Sequence, residues 1–257
     1  MSDQPLLELK GVSKSFGAVQ ALTKVDFGAR VGEVMALVGD NGAGKSTLIK
    51  GIAGIYPFDE GQTFFDSKVV KIHNPRDSSA LGIEVVYQDL ALADNLDVVA
   101  NMFLGRERVL PPWRLDEARM EKECVKTLDS LSVTTLRSVR QAVAGLSGGQ
   151  RQAVAVAKAV MWNSRLVILD EPTAALGVAQ TRQVLDLVRR LAEKGLAVII
   201  ISHNLHDIFE VADRITVLRL GQKVAEFNKN ETTQQEVVHA ITAGKLESVP
   251  GMVQNEH

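Results

Sequence analysis

The chain has 257 residues, 46% of them apolar and 23% charged, and a net charge of −2. This is the composition of an ordinary globular protein, large enough to bury a core without a metal or disulfide staple. No overall basic footprint exists, which argues against nucleic acid as the main partner, and the single cysteine, Cys124, excludes an intrachain disulfide.

Met1–Pro5 lacks a basic start followed by an apolar core, so no signal peptide is visible and a cytoplasmic chain is expected. Leu6–Val12 and Lys24–Arg30 are expected as short strands between glycine turns. The apolar run Glu33–Val38 ends at Gly39, and the periodicity turns helical from Lys45. Gly61–Phe65 and Lys68–Ile72 suggest a hairpin; Asn74-Pro75 suggests a helix start, with Asn as cap and Pro in the first turn. Ile83–Tyr87 has the pattern of a buried strand.

From Leu96 to about Ala144 the apolar spacing is helical, with a break at Pro111-Pro112. This predicts a helical lobe, about residues 89–147, inserted in the core. Met120, Cys124, Leu128 and Leu131 share one helical face there, which makes the cysteine a small apolar core residue rather than a reactive thiol. A helix is expected from Gly148 to about Trp162, a strand over Arg165–Leu169 and a helix over Val178–Lys194. Next come a strand over Leu196–Ile201, a helix over Asn204–Val211 and a hairpin, Arg214–Leu220 with Lys223–Phe227, about Gly221-Gln222. The most apolar stretches, such as Ala197–Ile201, have the length of strands and fall short of the roughly 18–20 residues that cross a bilayer. Apolar strands alternating with helices imply an α/β fold with a mostly parallel sheet covered on both faces. A single domain over 1–250 is expected, with 251–257 as a frayed tail.

Gly39-Asp40-Asn41-Gly42-Ala43-Gly44-Lys45-Ser46, followed by Thr47, matches the phosphate-loop pattern G-x-x-x-x-G-K-[ST] in full. Its glycines let backbone N–H groups converge on phosphate oxygens, and the helix behind adds its positive end. Lys45 suits the β- and γ-phosphates; Ser46 offers a hydroxyl to Mg²⁺. Leu166–Leu169 builds a buried strand that ends in Asp170-Glu171. Asp170 suits Mg²⁺, and Glu171 suits a general base on the attacking water. Leu146-Ser147-Gly148-Gly149-Gln150 is a second glycine-rich segment, where Ser147 can also cap a helix.

The order of the phosphate loop, Gln88, LSGGQ, the Asp170-Glu171 strand and His203 resembles ATP-binding cassette (ABC) transporter ATPases. The resemblance runs from about Leu6 to Gly244, and LSGGQ is its most specific part. It implies a P-loop NTPase (RecA-like) core with an N-terminal antiparallel β-subdomain and an inserted α-helical lobe. It also implies a head-to-tail homodimer that sandwiches ATP and Mg²⁺. Each nucleotide would lie between one subunit's phosphate loop and Ser147, Gly148, Gly149 and Gln150 of the other. That supplies part of what an arginine finger gives elsewhere, on the order of 10³–10⁵ in rate. By the same resemblance Gln88 touches Mg²⁺ or the attacking water, His203 contacts the γ-phosphate and couples with Glu171, and Phe16 stacks on adenine. Without the family, Gln88 and His203 read as solvated loop residues, and Phe16 has a core residue as its alternative.

One departure stands out. After Pro172-Thr173 the family usually has Ser-Ala-Leu-Asp; here Ala174-Ala175-Leu176-Gly177 replaces it, without the aspartate that links the two sites. This variant, the Gly-Asp-Asn-Gly loop and Asn101–Gly105 resemble bacterial monosaccharide importers of the fructose, ribose or xylose type. The expected partners are then a membrane permease contacted through the helical lobe, especially Ala91–Leu104, and an extracytoplasmic sugar-binding protein. The expected place is the cytoplasmic face of the membrane. A soluble cassette acting on ribosomes or DNA, or a non-hydrolysing nucleotide switch, are the alternatives.

Overall fold

The computed structural model describes residues 4–244; the tail expected at 251–257 lies outside them. Strands β1 (Leu7–Phe16), β2 (Val19–Ala29), β4 (Glu60–Phe65) and β5 (Lys68–Val70) make an antiparallel sheet in the order β2-β1-β4-β5. The central sheet contains β3 (Val34–Val38), β6 (Ile83–Val86), β9 (Leu166–Asp170), β10 (Ala197–Ile201), β11 (Arg214–Arg219) and β12 (Gln222–Asn228). Its order is β12-β11-β3-β10-β9-β6. Every pairing in it is parallel except that of β12 with β11. The α/β class and the antiparallel N-terminal sheet therefore match expectation.

Alternation explains why the central strands read as unbroken apolar runs. On β3, Val34, Ala36 and Val38 face one core, while Met35 and Leu37 face the other. Likewise Val167 and Leu169 of β9 oppose Leu166 and Ile168, and Val198 and Ile200 of β10 oppose Ala197, Ile199 and Ile201. Successive side chains point to opposite faces, and both faces are covered. Burying each Ile, Leu or Val here is worth about 1.5–3 kcal/mol relative to exposure.

Helices α1 (Lys45–Ile52), α2 (Pro75–Ala80), α5 (Gly148–Val160), α6 (Val178–Glu193), α7 (Leu205–Val211) and α8 (Gln234–Ala243) surround the sheet. Asn74 caps α2 with its side chain, and Asp77 reciprocates. The first strands are longer than residue type suggested. Bulges absorb Gly11 (φ 59°) and Lys24 (φ 47°), so β1 continues to Phe16 and β2 begins at Val19.

The lobe differs most from the sequence reading. On either side of the expected break at Pro111-Pro112 it holds α3 (Val98–Phe103) and α4 (Glu117–Ser130), and the break itself is a hairpin of β7 (Val109–Leu110) with β8 (Arg114–Leu115). Prolines 111 and 112 cannot continue a helix, and Asp97 and Asp116 each start a new one as side-chain caps. Met120, Cys124, Leu128 and Leu131 are buried together as expected. Burial pushes the Cys124 thiol up to about 12, so it stays a protonated, inert core group.

Candidate nucleotide site

Ligands of open α/β sheets bind beyond the carboxyl ends of the strands. At that edge β3 delivers the phosphate loop, β10 delivers Ser202-His203, β9 delivers Asp170-Glu171, and the segment after β6 delivers Gln88. Four neighbouring parallel strands thus bring residues far apart in sequence to one rim.

The loop needs glycine where it touches its floor. A Cβ on Gly39 (φ 149°) would lie 2.2 Å from the Leu218 carbonyl oxygen. One on Gly44 (φ 104°) would lie 2.7 Å from Leu22 Cδ2 and 2.9 Å from the Ala21 carbonyl oxygen. Between them Ala43 is buried; its N–H donates to the Asp40 carbonyl (3.1 Å), and its carbonyl accepts from Gly221 N–H (3.0 Å). The Gly221 carbonyl in turn accepts from Thr23 N–H (2.8 Å). Asp40, Asn41, Gly42 and Ser46 are exposed along the loop's open side, and Thr47 is half-buried behind them. Helix α1 has no side-chain cap and no acidic residue in its first turn, so its leading N–H groups suit an added anion.

Lys45 Nζ donates to the carbonyls of Gly39 (2.6 Å) and Asp40 (3.0 Å). Burial lowers its pKa, against the opposing pull of Glu171, Asp40 and Asp170. Asp170, half-buried at the end of β9, is shifted the other way. Burial and the neighbouring Glu171 carboxylate raise its pKa, with Lys45 and Lys50 acting in opposition. A hydroxyl (Ser46), a carboxylate (Asp170) and an amide (Gln88) are hard oxygen donors of the kind Mg²⁺ selects. Among the described residues no cluster of three or more His, Cys, Asp or Glu could hold a metal by itself.

Glu171 adopts a left-handed conformation (φ 51°), while its N–H donates to the Ile201 carbonyl (2.9 Å). The strained backbone turns its carboxylate toward β10, where Oε2 lies 2.9 Å from His203 Nδ1. His203 itself is exposed, as is Gln88. Phe16, at the end of β1, is also exposed rather than in the core, with its ring edge-on to Tyr56 at 5.1 Å between centroids. Lys14 Nζ lies over the same ring, 5.6 Å from its centroid.

Ser147 caps α5 as expected. Its Oγ accepts from Gln150 N–H (3.3 Å), and its own N–H donates to Gln150 Oε1 (2.9 Å). The hydroxyl proton remains available for a further acceptor. Ser147 and Gly148 are exposed; Gly149 is buried against Gln180. Helix α5 packs on α3, α4, α6 and β6, whereas α1 packs on β2. The hydrogen bonds of Ser147 run to Gln150, those of Lys45 to Gly39 and Asp40, so one chain does not join the two glycine-rich segments by these contacts.

Sequence reasoning missed Tyr56, which supports Phe16 and donates to the Thr47 carbonyl (3.1 Å). It also missed the buried pair of Thr173 Oγ1 and Asp207 Oδ2 (2.7 Å), which anchors the turn after Glu171. Neither lies in a recognisable pattern; both arise from tertiary proximity.

The family model described as ABC transporter matches residues 22–174. The chain belongs to the ABC transporter ATPase family. Relatives of this ABC ATPase include a fructose import ATP-binding protein of Rhizobium meliloti, 44% identical over 95% of the chain and 96% of the relative. A xylose/arabinose import ATP-binding protein of Sulfolobus acidocaldarius is 48% identical over 97% and 98%. A ribose import ATP-binding protein of Clostridium tetani is 38% identical over 96% of the chain but only 49% of its own length. Among solved structures, an ABC cassette in its ADP conformation matches with a TM-score of 0.77, at 26% identity over 93% of the chain and 95% of that cassette. A dimeric cassette bound to ADP and Pi in a post-hydrolysis state matches with a TM-score of 0.71, at 26% identity over 87% and 98%. No helix among the described residues is long and apolar enough to cross a membrane.

Proposed function

We propose that this ABC ATPase is the ATP-hydrolysing subunit of an importer for a monosaccharide. The observation that carries the reading is the meeting of Lys45, Asp170 and the Glu171–His203 pair at one sheet rim. The printed functions of the relatives supply the cargo class.

The loop N–H groups and the Lys45 ammonium hold the β- and γ-phosphates. Phe16 offers its exposed face to the base. Ser46, Asp170 and Gln88 would hold Mg²⁺, which would neutralise charge on the phosphates. Glu171 accepts a proton from a water whose oxygen attacks the γ-phosphorus, and the bond to the β–γ bridging oxygen breaks. His203 keeps the carboxylate aimed and contacts the γ-phosphate. Ser147, Gly148 and Gly149 of a second copy close over the same phosphate, with Gln150 holding the serine in place. ATP binding thereby draws two copies together, and hydrolysis lets them part.

The homodimer works under a membrane permease, on its cytoplasmic side, with the helical lobe around α3 as the docking element. An extracytoplasmic sugar-binding protein delivers the cargo. A cassette serving ribosomes or DNA finds no support among the relatives' printed functions. The test is phosphate release by the purified chain, followed by ATP-dependent uptake of labelled fructose, ribose and xylose in vesicles carrying the chain with its permease. Absence of phosphate release would remove the hydrolytic reading, and hydrolysis without uptake of any pentose or hexose would remove the transport reading.

A further inference from the structure

A half-buried arginine on α6 grips the segment that follows α4. Arg190 Nη1 donates to the carbonyls of Leu131 (2.7 Å) and Ser132 (3.2 Å). Lys194 Nζ donates to the Ser130 carbonyl nearby. Helix ends leave such carbonyls without intrahelical partners.

The turn they secure is a demanding one. Ser132 is left-handed (φ 55°), Val133 N–H donates to the Leu128 carbonyl (3.0 Å), and Ser132 N–H donates to that of Asp129 (2.9 Å). This is a Schellman end with serine where glycine is the common choice, so a Cβ is held against backbone preference. Farther along, the Thr135 carbonyl accepts from Gln150 Nε2 (2.6 Å). The same Gln150 side chain accepts from Ser147 N–H through Oε1 (2.9 Å). Residues 131–135 are therefore held at one end by α6 and at the other by the group that closes the Ser147 cap. A cavity of about 150 Å³, lined by Val133, Gly149, Ala153 and Leu187 among others, lies beneath them. Leu131 is buried in the main core and Val133 packs against it, so the hydrogen bonds of Arg190 and Gln150 add to that packing in fixing the segment.

We propose that Arg190 is a positioning residue for hydrolysis: by fixing Leu131 and Ser132 it places Thr135, hence the Gln150 amide and, through the Ser147 N–H bonded to it, the main chain that carries the Ser147 hydroxyl. The inference rests on the reading that Ser147 of one copy closes on the nucleotide of the other. Arginine suits the task because one planar nitrogen reaches both carbonyls through its two N–H bonds.

The test compares ATP turnover and ADP affinity in R190M, Q150A and their double variant. R190M is expected to lose about tenfold or more in kcat, as small misplacements of reacting groups do. Its ADP affinity, set at Lys45, is expected to stay at the wild-type value. In the Q150A background R190M is expected to add no further loss, since it acts through Gln150. R190Q keeps a donor but is too short to reach both carbonyls, and gives the same split should R190M not fold. Wild-type kcat in both arginine variants, losses that multiply in the double variant, or ADP affinity falling in step with kcat would each overturn the assignment. A wild-type chain that releases no phosphate would instead overturn the functional reading on which it rests.

Discussion

His203 Nδ1 stands 2.9 Å from Glu171 Oε2, although the two residues arrive on separate strands. The contact exists because β10 lies directly beside β9, with Ile201 opposite Asp170. A carboxylate held in this way keeps one oxygen occupied and leaves the other for the water that the proposed base would activate.

Glu171→Gln keeps the shape of that pair and removes the base. Phosphate release should fall by about 10²–10⁴-fold while ATP binding persists. His203→Ala should lower kcat as well, with a smaller effect on nucleotide affinity. Single-turnover phosphate release alongside equilibrium binding distinguishes the two steps. Wild-type turnover in the glutamine variant would remove Glu171 from its role.

Asp170 carries a pH signature. Burial, and then Glu171, raise its pKa in the folded protein. The native state thus holds this proton more tightly than the unfolded chain does. Its contribution to stability therefore declines as pH rises from the usual carboxylate range through the raised folded value. Asp170→Asn should melt at a higher temperature than wild type at neutral pH, with the advantage shrinking as pH is lowered toward ~4. The same variant should lose hydrolysis. A melting difference that does not vary with pH would contradict the argument.

Phe16→Ala should weaken nucleotide binding by about 1–3 kcal/mol, the range for losing one aromatic–base stack. Because the ring is exposed, thermal stability should change little. Titration calorimetry with ATP and with inorganic triphosphate separates base stacking from phosphate binding: only the former should respond.

Gly39→Ala should destabilise the fold by about 1–3 kcal/mol, the cost of forcing atoms into a packed site. The added methyl would meet a backbone carbonyl, which cannot swing away as a side chain can. Gly42→Ala, where no atom lies within 4 Å of the new Cβ, lacks that clash and is the companion variant. Chemical denaturation should rank Gly39→Ala as the less stable of the two.

Most of the rim was legible from local pattern. The phosphate loop, the strand ending in Asp170-Glu171 and the Ser147 cap each declare themselves within a few residues. The Glu171–His203 contact followed from family order, since nothing near His203 in sequence distinguishes it from a solvated histidine. The lobe's helices and their break at Pro111-Pro112 were legible, but the hairpin at the break and the helix starts after Asp97 and Asp116 were not, because apolar spacing continues across 96–144. Periodicity reports a buried face, but caps decide where a helix begins. Arg190 was invisible for another reason. Its partners are main-chain carbonyls of Leu131 and Ser132, and a carbonyl leaves no mark on residue type.

The seam in which Gly221 joins Ala43 to Thr23 ties the phosphate loop to the β11–β12 turn. Every recognisable signature ends by His203, yet part of the floor beneath the loop comes from Leu218 and Gly221. A fragment trimmed to its signatures would keep all the letters and lose the mould, and damage to the β11–β12 turn would register as a defect in ATP affinity at a distance from any named motif.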